Sequence, residues 1–190
     1  VAVAPRVVKT GDGRRLASNC CHTKTKPVPA RFSFVTEHAN HVLALASANY
    51  DVMRIDQRGT GDSEGNYSGG FDRQDETDAL QALTFIAEQS WCDGKLGLFG
   101  FSAGGTAALQ IARRQPIGLG AIIAVAATDD PYEDDGAYHG GLPTSELLAA
   151  ATRQLAKSAL PHAQKLAGKA CAKTWLSPLK QQPLAATQWL

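Results

Sequence analysis

The 190-residue sequence lacks any long hydrophobic run. Its longest, Leu119 to Ala127, contains a glycine and falls well short of the roughly 20 residues a membrane-spanning helix requires. A membrane protein of that kind is excluded. Cysteine is scarce: Cys20, Cys21, Cys92 and Cys171 form no CxxC pair and no Cys/His cluster with metal-ligand spacing, which argues against a zinc site and against a disulfide scaffold. A reducing, cytoplasmic setting is the expectation. Net charge is only +1, and basic residues are not interleaved with aromatics, so no nucleic-acid partner is expected. The N-terminus, Val1 to Lys9, carries neither an initiating Met nor a basic region followed by an apolar stretch, so it reads as a processed or truncated product rather than a signal peptide. No internal repeat is present.

What the sequence does contain fits one globular domain: 44% hydrophobic and 19% charged residues, with 18 Gly and 9 Pro. The length can bury a sizeable core, yet it is small for an enzyme that needs both a full catalytic sheet and a substrate-binding cap. Charge is unevenly placed. Residues 1–31 carry a surplus of Lys/Arg, residues 32–135 a surplus of Asp/Glu, and residues 136–190 again a surplus of Lys, with Glu146 the one acid there. Basic ends folding over an acidic middle, or solvated faces, account for this without a nucleic-acid patch.

Hydrophobic periodicity predicts strands over Arg6 to Lys9, Leu16 to Asn19 and Arg31 to Val35. The turn Gly11-Asp12-Gly13 joins the first two as a hairpin, and a Pro-rich turn at Pro27 and Pro29 precedes the third. A helix over Ala39 to Ala48 and a strand over Tyr50 to Asp56 begin an alternating pattern. From Asp72 to Gln89, Ala79, Ala82, Leu83, Ile86 and Ala87 recur at three- and four-residue spacing behind an acidic first turn, which defines an amphipathic helix. A buried strand over Lys95 to Phe99, an Ala-rich helix over Ala103 to Arg113 and a fully apolar strand over Ala121 to Ala127 follow. The pattern predicts an α/β fold with a mostly parallel sheet flanked by helices, the last strand covered on both sides. After Gly140, leucines, alanines and lysines read as helices without a further strand, interrupted at Pro161, Pro178 and Pro183.

The sharpest local signal is Gly100-Phe101-Ser102-Ala103-Gly104-Gly105, a GxSxG between a predicted strand and a predicted helix. On such an elbow the serine adopts a strained backbone, and Gly100 and Gly104 are expected to remove side chains that would collide with the neighbouring strand and helix. Ser102 then projects its hydroxyl from the C-terminal edge of the sheet, and the Ala103 backbone N–H faces a developing oxyanion at the positive end of the helix. A second stretch, Asp56 to Gly65, contains Arg58-Gly59-Thr60-Gly61-Asp62-Ser63-Glu64-Gly65. Its spacing is wrong for a dinucleotide-binding GxGxxG, and a structural loop is expected in which Arg58, Asp62 and Glu64 satisfy the backbone and one another. The acidic run Asp129 to Asp135 lacks the ligand alternation of an EF-hand and reads as a hydrogen-bonding turn. No metal and no cofactor are expected.

Three runs, Arg54 to Gly65, Ser90 to Gly105 and Thr128 to Gly141, resemble the cocaine esterase and X-Pro dipeptidyl-peptidase (CocE/NonD) family of α/β-hydrolases. The likeness is close over about half of the chain. It implies a serine acyl hydrolase acting on a small ester or peptide, with Ser102 as nucleophile and the Ala103 amide in the oxyanion hole. By the same resemblance, residues 1–140 are the N-terminal part of a catalytic domain, and residues 141–190 are a helical extension or the beginning of a cap. The family's residue after the nucleophile is usually Tyr, where Ala103 stands here. Its second oxyanion donor, a tyrosine hydroxyl, has no match between Val35 and Tyr50. Its acid and histidine lie on later loops, beyond the cap in which this sequence is expected to stop. Asp129, Asp130, His139 and His162 follow Ser102 in the right order, but the family's own histidine in this stretch is replaced by Ala137. His22, His38 and His41 precede the serine and are expected at the surface. Three readings follow: a serine hydrolase, a non-catalytic fragment or binding module of the same fold, and a half that gains its acid and histidine from another chain.

Overall fold

The computed structural model describes residues 2–22, 30–34, 39–48, 50–66, 72–158 and 176. A hairpin of β1 (Ala2–Lys9) and β2 (Arg15–His22) turns at Thr10 to Arg14, where Gly13 takes a φ of 81°. The predicted alternation then unfolds as β3 (Ala30–Phe34), α1 (Ala39–Ser47), β4 (Asp51–Ile55), α2 (Arg73–Ala87), β5 (Leu96–Phe101), α3 (Ala103–Arg113) and β6 (Leu119–Val125). The six strands form one sheet in the order β1-β2-β4-β3-β5-β6. β3, β4, β5 and β6 run parallel, and the hairpin joins antiparallel through β2 and β4. Val35, the Pro27/Pro29 turn and the prolines from Pro161 onward lie outside the described residues.

Period-2 alternation along the strands gives the sheet two apolar faces. Met53, Leu96 and Leu98 point toward α2 and α3, where they join Val8, Leu16, Ala79, Leu83, Ile86 and Ile111 in the main core. Val52, the neighbour of Met53, points the other way and packs with Val42 of α1, Leu45 and Tyr50. α2 begins as its acidic first turn predicts: the Asp72 carboxylate accepts the Asp75 N–H at 2.7 Å.

Two expectations are corrected. β6 is apolar but not covered: it pairs with β5 and has no second strand neighbour among the described residues, so Ile122, Ile123 and Val125 remain 38%, 47% and 40% exposed. An apolar run reports what a strand is able to bury, whereas its place in the strand order decides what it does bury. After Gly140, where only helices are expected, the chain also forms a strand at Leu142–Pro143. A short helix α4 (Pro131–Asp134) is followed by a two-residue hairpin, β7 (Tyr138–His139) and β8 (Leu142–Pro143), before α5 (Ser145–Ser158).

A cavity of about 30 Å³, room for a water molecule, lies between the Asp56-to-Arg58 loop and the facing sides of α2 and α3. Asp75 lines it, and its buried Oδ2 has no hydrogen-bond partner among the described residues. Burial, reinforced by the charges of Asp72 and Asp78, pushes the Asp75 carboxyl up to about 6 from 3.8. Between those two values the unfolded chain is ionised while the folded chain stays protonated. Stability therefore falls as pH rises through this window and stays reduced above it. Asp75→Asn is expected to remove that fall, which for the partly exposed wild-type group totals on the order of 1 kcal/mol across the window. Urea unfolding at pH 4, 5, 6 and 7 checks this; an unchanged fall in the variant would refute it.

Candidate active site

The sequence Gly-Phe-Ser-Ala-Gly-Gly places the end of β5 directly against the start of α3, with Ser102 as the one residue between them. Ser102 has φ 53° and ψ −124°, a conformation that L-residues rarely adopt. Its backbone is held from both sides. The N–H donates to the Val125 carbonyl at 2.8 Å, and the Ser102 carbonyl accepts from Gly105 N–H at 2.8 Å and from Thr106 N–H at 3.0 Å. Serine is a favoured helix N-cap, yet the Ser102 hydroxyl makes no capping bond to α3 and its side chain is exposed. Ala103, also exposed, is the first residue of α3, so its N–H belongs to the first-turn amides that helix geometry leaves without an intrahelical acceptor.

Two glycines make this turn sterically possible. A Cβ on Gly100 would lie 2.1 Å from the Gly104 carbonyl oxygen, and one on Gly105 would lie 2.6 Å from Ala127 Cβ. The expected role of Gly100 is thereby explained, and Gly105 is a further glycine whose missing side chain matters.

The remaining candidates are scattered. His41 is half-buried on α1, its ring edge-on to Phe99 at 5.0 Å, and not simply at the surface as expected. His139 is exposed in the β7–β8 hairpin. His38, His162 and the side chain of His22 lie outside the described residues. Asp130 is engaged as the N-cap of α4, its Oδ1 accepting Tyr132 N–H at 3.1 Å and Glu133 N–H at 3.3 Å, while Asp129 is exposed. The acidic run is thus a capped turn of helix. The Asp130-Pro131 pair is the signal that announces it, an N-cap followed by proline at N1. Within it, burial and the neighbouring Asp134 charge raise the Asp135 carboxyl above its ordinary range. Among the described residues no group of three or more His, Cys, Asp or Glu is placed to hold a metal ion.

The Arg58 loop departs from its expected internal pairing. Asp56 Oδ2 accepts the Asp62 N–H at 3.1 Å, Ser63 Oγ donates to the Asp56 carbonyl at 2.7 Å, and Glu64 Oε2 accepts the Arg15 N–H at 3.1 Å. Arg58 instead leaves the loop, donating to Asp78 on α2 from Nε and Nη2, each at 2.7 Å, and to Asp12 in the β1–β2 turn at 2.8 Å.

A partly parallel sheet flanked by helices, with a strained serine between strand and helix, defines an α/β-hydrolase fold. The model of the X-Pro dipeptidyl-peptidase (S15) family matches residues 16–189, and the chain belongs to that family. Cocaine esterase from Rhodococcus sp. (strain MB1 Bresler) is 37% identical over 117 residues, covering 62% of this chain and 20% of the esterase. A CocE/NonD family hydrolase from Staphylococcus aureus superposes with a TM-score of 0.70 at 20% identity, covering 80% of this chain and 32% of that one. An α-amino acid ester hydrolase gives 0.68 at 20% identity, covering 83% and 30%. The chain therefore spans a fifth of the curated relative's length and about a third of these structures. No described helix is long and apolar enough to cross a membrane.

Proposed function

We propose that Ser102 is the nucleophile of a serine acyl hydrolase, acting on a small ester or peptide. The carrying observation is the strained backbone of the exposed Ser102, whose hydroxyl makes no capping bond at the N-terminus of α3. In the reaction, Ser102 Oγ bonds to the substrate carbonyl carbon while a base takes the hydroxyl proton. The resulting oxyanion accepts the Ala103 N–H, whose removal from such a site costs ~10²–10³ in rate. Collapse expels the alcohol or amine with that proton, and water then cleaves the acyl-serine ester. Residues 1–140 serve as the nucleophile-bearing part of the catalytic domain and residues 141–190 as a helical extension or the beginning of a cap.

A second reading, a non-catalytic module of the same fold, draws on the placement of the described histidines and carboxylates: His139 is exposed on a hairpin and Asp130 is engaged in a helix cap. Fluorophosphonate labelling separates the two. The hydrolase reading expects rapid labelling of the folded chain, lost in Ser102→Ala; an unlabelled but folded chain overturns it. Comparing a p-nitrophenyl acyl ester with an X-Pro anilide then assigns ester or peptide specificity.

A further inference from the structure

Ser102 is not the only strained residue at this edge of the sheet. Ala126, just past the end of the neighbouring strand β6, has φ 49°, so adjacent strands each end in a non-glycine residue of left-handed conformation. Such a conformation persists only where the surroundings over-determine it. The two strand ends are tied by the Ser102 N–H to Val125 carbonyl bond at 2.8 Å. Directly after Ala126 the chain grazes the first turn of α3, so closely that a Cβ on Gly105 would meet Ala127 Cβ at 2.6 Å.

At this crossing stands Thr106, fully buried in that first turn. Its N–H donates to the Ser102 carbonyl at 3.0 Å, and its Oγ1 accepts the Thr128 N–H at 3.3 Å in a buried bond across 22 residues of sequence. Thr128, itself buried, passes the connection on: its Oγ1 accepts the Asp130 N–H at 2.9 Å and donates to Asp134. An α-helix needs no side-chain hydroxyl at this position to complete its own ladder. Here the hydroxyl supplies a partner to a buried backbone amide of another segment.

We propose that Thr106 is a positioning residue for Ser102, clamping the segment after β6 onto the first turn of α3 and so holding the Ser102 turn in its left-handed conformation. The consequence for catalysis rests on Ser102 being the nucleophile. Removing the Oγ1 acceptor leaves the Thr128 N–H buried without its partner, the 126–128 segment draws away from Gly105, and Ser102 relaxes toward an ordinary backbone.

The test compares Thr106→Val, which keeps the shape and loses the hydroxyl, with Thr106→Ser, which keeps the hydroxyl, both in the full 190-residue chain. Amide exchange at Thr128, the HN–Hα coupling of Ser102 that reports its φ, and the maximal rate and half-saturation of fluorophosphonate labelling are measured. In Thr106→Val the Thr128 amide is expected to exchange at least tenfold faster, the Ser102 coupling to shift, and the maximal labelling rate to drop tenfold or more at unchanged half-saturation. Exchange at Ile111, further along the same helix, stays as in the wild type. Thr106→Ser returns every value to within twofold. A Thr106→Val chain with wild-type exchange at Thr128 or an unmoved Ser102 coupling overturns the clamp. So does an unprotected Thr128 amide in the unmodified chain, a result that holds even where Thr106→Val does not fold. If the wild-type chain is never labelled, the nucleophile reading fails on its own, while exchange and coupling still decide the clamp.

Discussion

Gly100→Ala is expected to destabilise the protein by more than about 3 kcal/mol and to abolish labelling of Ser102. Overpacking a filled site typically costs about 1–3 kcal/mol because side chains can move aside. At Gly100 none can, since the atoms in the way are backbone: the added Cβ would lie 2.1 Å from the Gly104 oxygen, 2.2 Å from its carbonyl carbon and 2.5 Å from the Gly105 nitrogen. Relief requires the first turn of α3 to lift off β5, which carries with it the Gly105 and Thr106 N–H groups that hold the Ser102 carbonyl. Against a total stability of roughly 5–15 kcal/mol, a loss of this size leaves the fold marginal. Gly120→Ala is the matched control: it also adds one methyl to a strand glycine, but among the described residues its Cβ meets nothing closer than the Leu96 oxygen at 4.0 Å, and its effect is expected within about 0.5 kcal/mol. Urea midpoints measured on both variants check the pair. A Gly100→Ala protein with the midpoint of Gly120→Ala would show that the turn adapts and that glycine is not required there.

The contrast between these two glycines shows what kind of information a sequence holds. Local periodicity carries the element order, because a helix or strand that buries one face must place apolar residues at its own period; α2, α3 and the Val52/Met53 alternation in β4 were legible for that reason. The Ser102 turn was legible because a GxSxG between strand and helix is itself local. Whatever depends on a partner distant in sequence was not. The run in β6 reads as doubly covered, but its exposure follows from being last in the strand order. Gly104 and Gly105 look alike in the motif, and the contact that makes Gly105 critical comes from Ala127. Thr106 carries no motif, and nothing in the run that opens at Thr128 points to it; their bond exists because β6 lies beside β5. The β7–β8 hairpin is only two residues a side, too short to show an alternation.

Arg58 is the strongest instance of such a distant partnership, and Arg58→Met is expected to cost about 3–5 kcal/mol. Arg58 is 8% exposed and Asp78 4%, joined by two parallel bonds of 2.7 Å, with Gln74 Nε2 adding a 2.9 Å bond to Asp78 Oδ1. This fork-on-fork geometry is the strong form of the charge-assisted bond. Its partners explain the direction of the ionisation shifts: Asp78 first, then Asp12, raise the Arg58 pKa against burial, and the Arg58 bond is the leading cause that holds the Asp12 carboxyl well below its ordinary range. Methionine fills much of the arginine's volume, so the loss is not chiefly one of packing; it arises because the Asp78 carboxylate is left buried with Gln74 as its one remaining side-chain donor among the described residues. Asp12 is exposed and recovers its hydration, so its bond adds little. Two consequences follow from that division. Asp12→Asn is expected to leave the urea midpoint close to that of the unmodified chain. The double variant Arg58→Met/Asp78→Leu, which removes both charges, is expected to recover most of the loss of the single one, because a buried ion pair replaced as a unit by apolar side chains is often neutral in stability. Urea midpoints on the three variants check the set. If the double variant is no more stable than Arg58→Met, the unpaired Asp78 charge is not the cause, and the cost must instead come from the loop that Arg58 ties to α2.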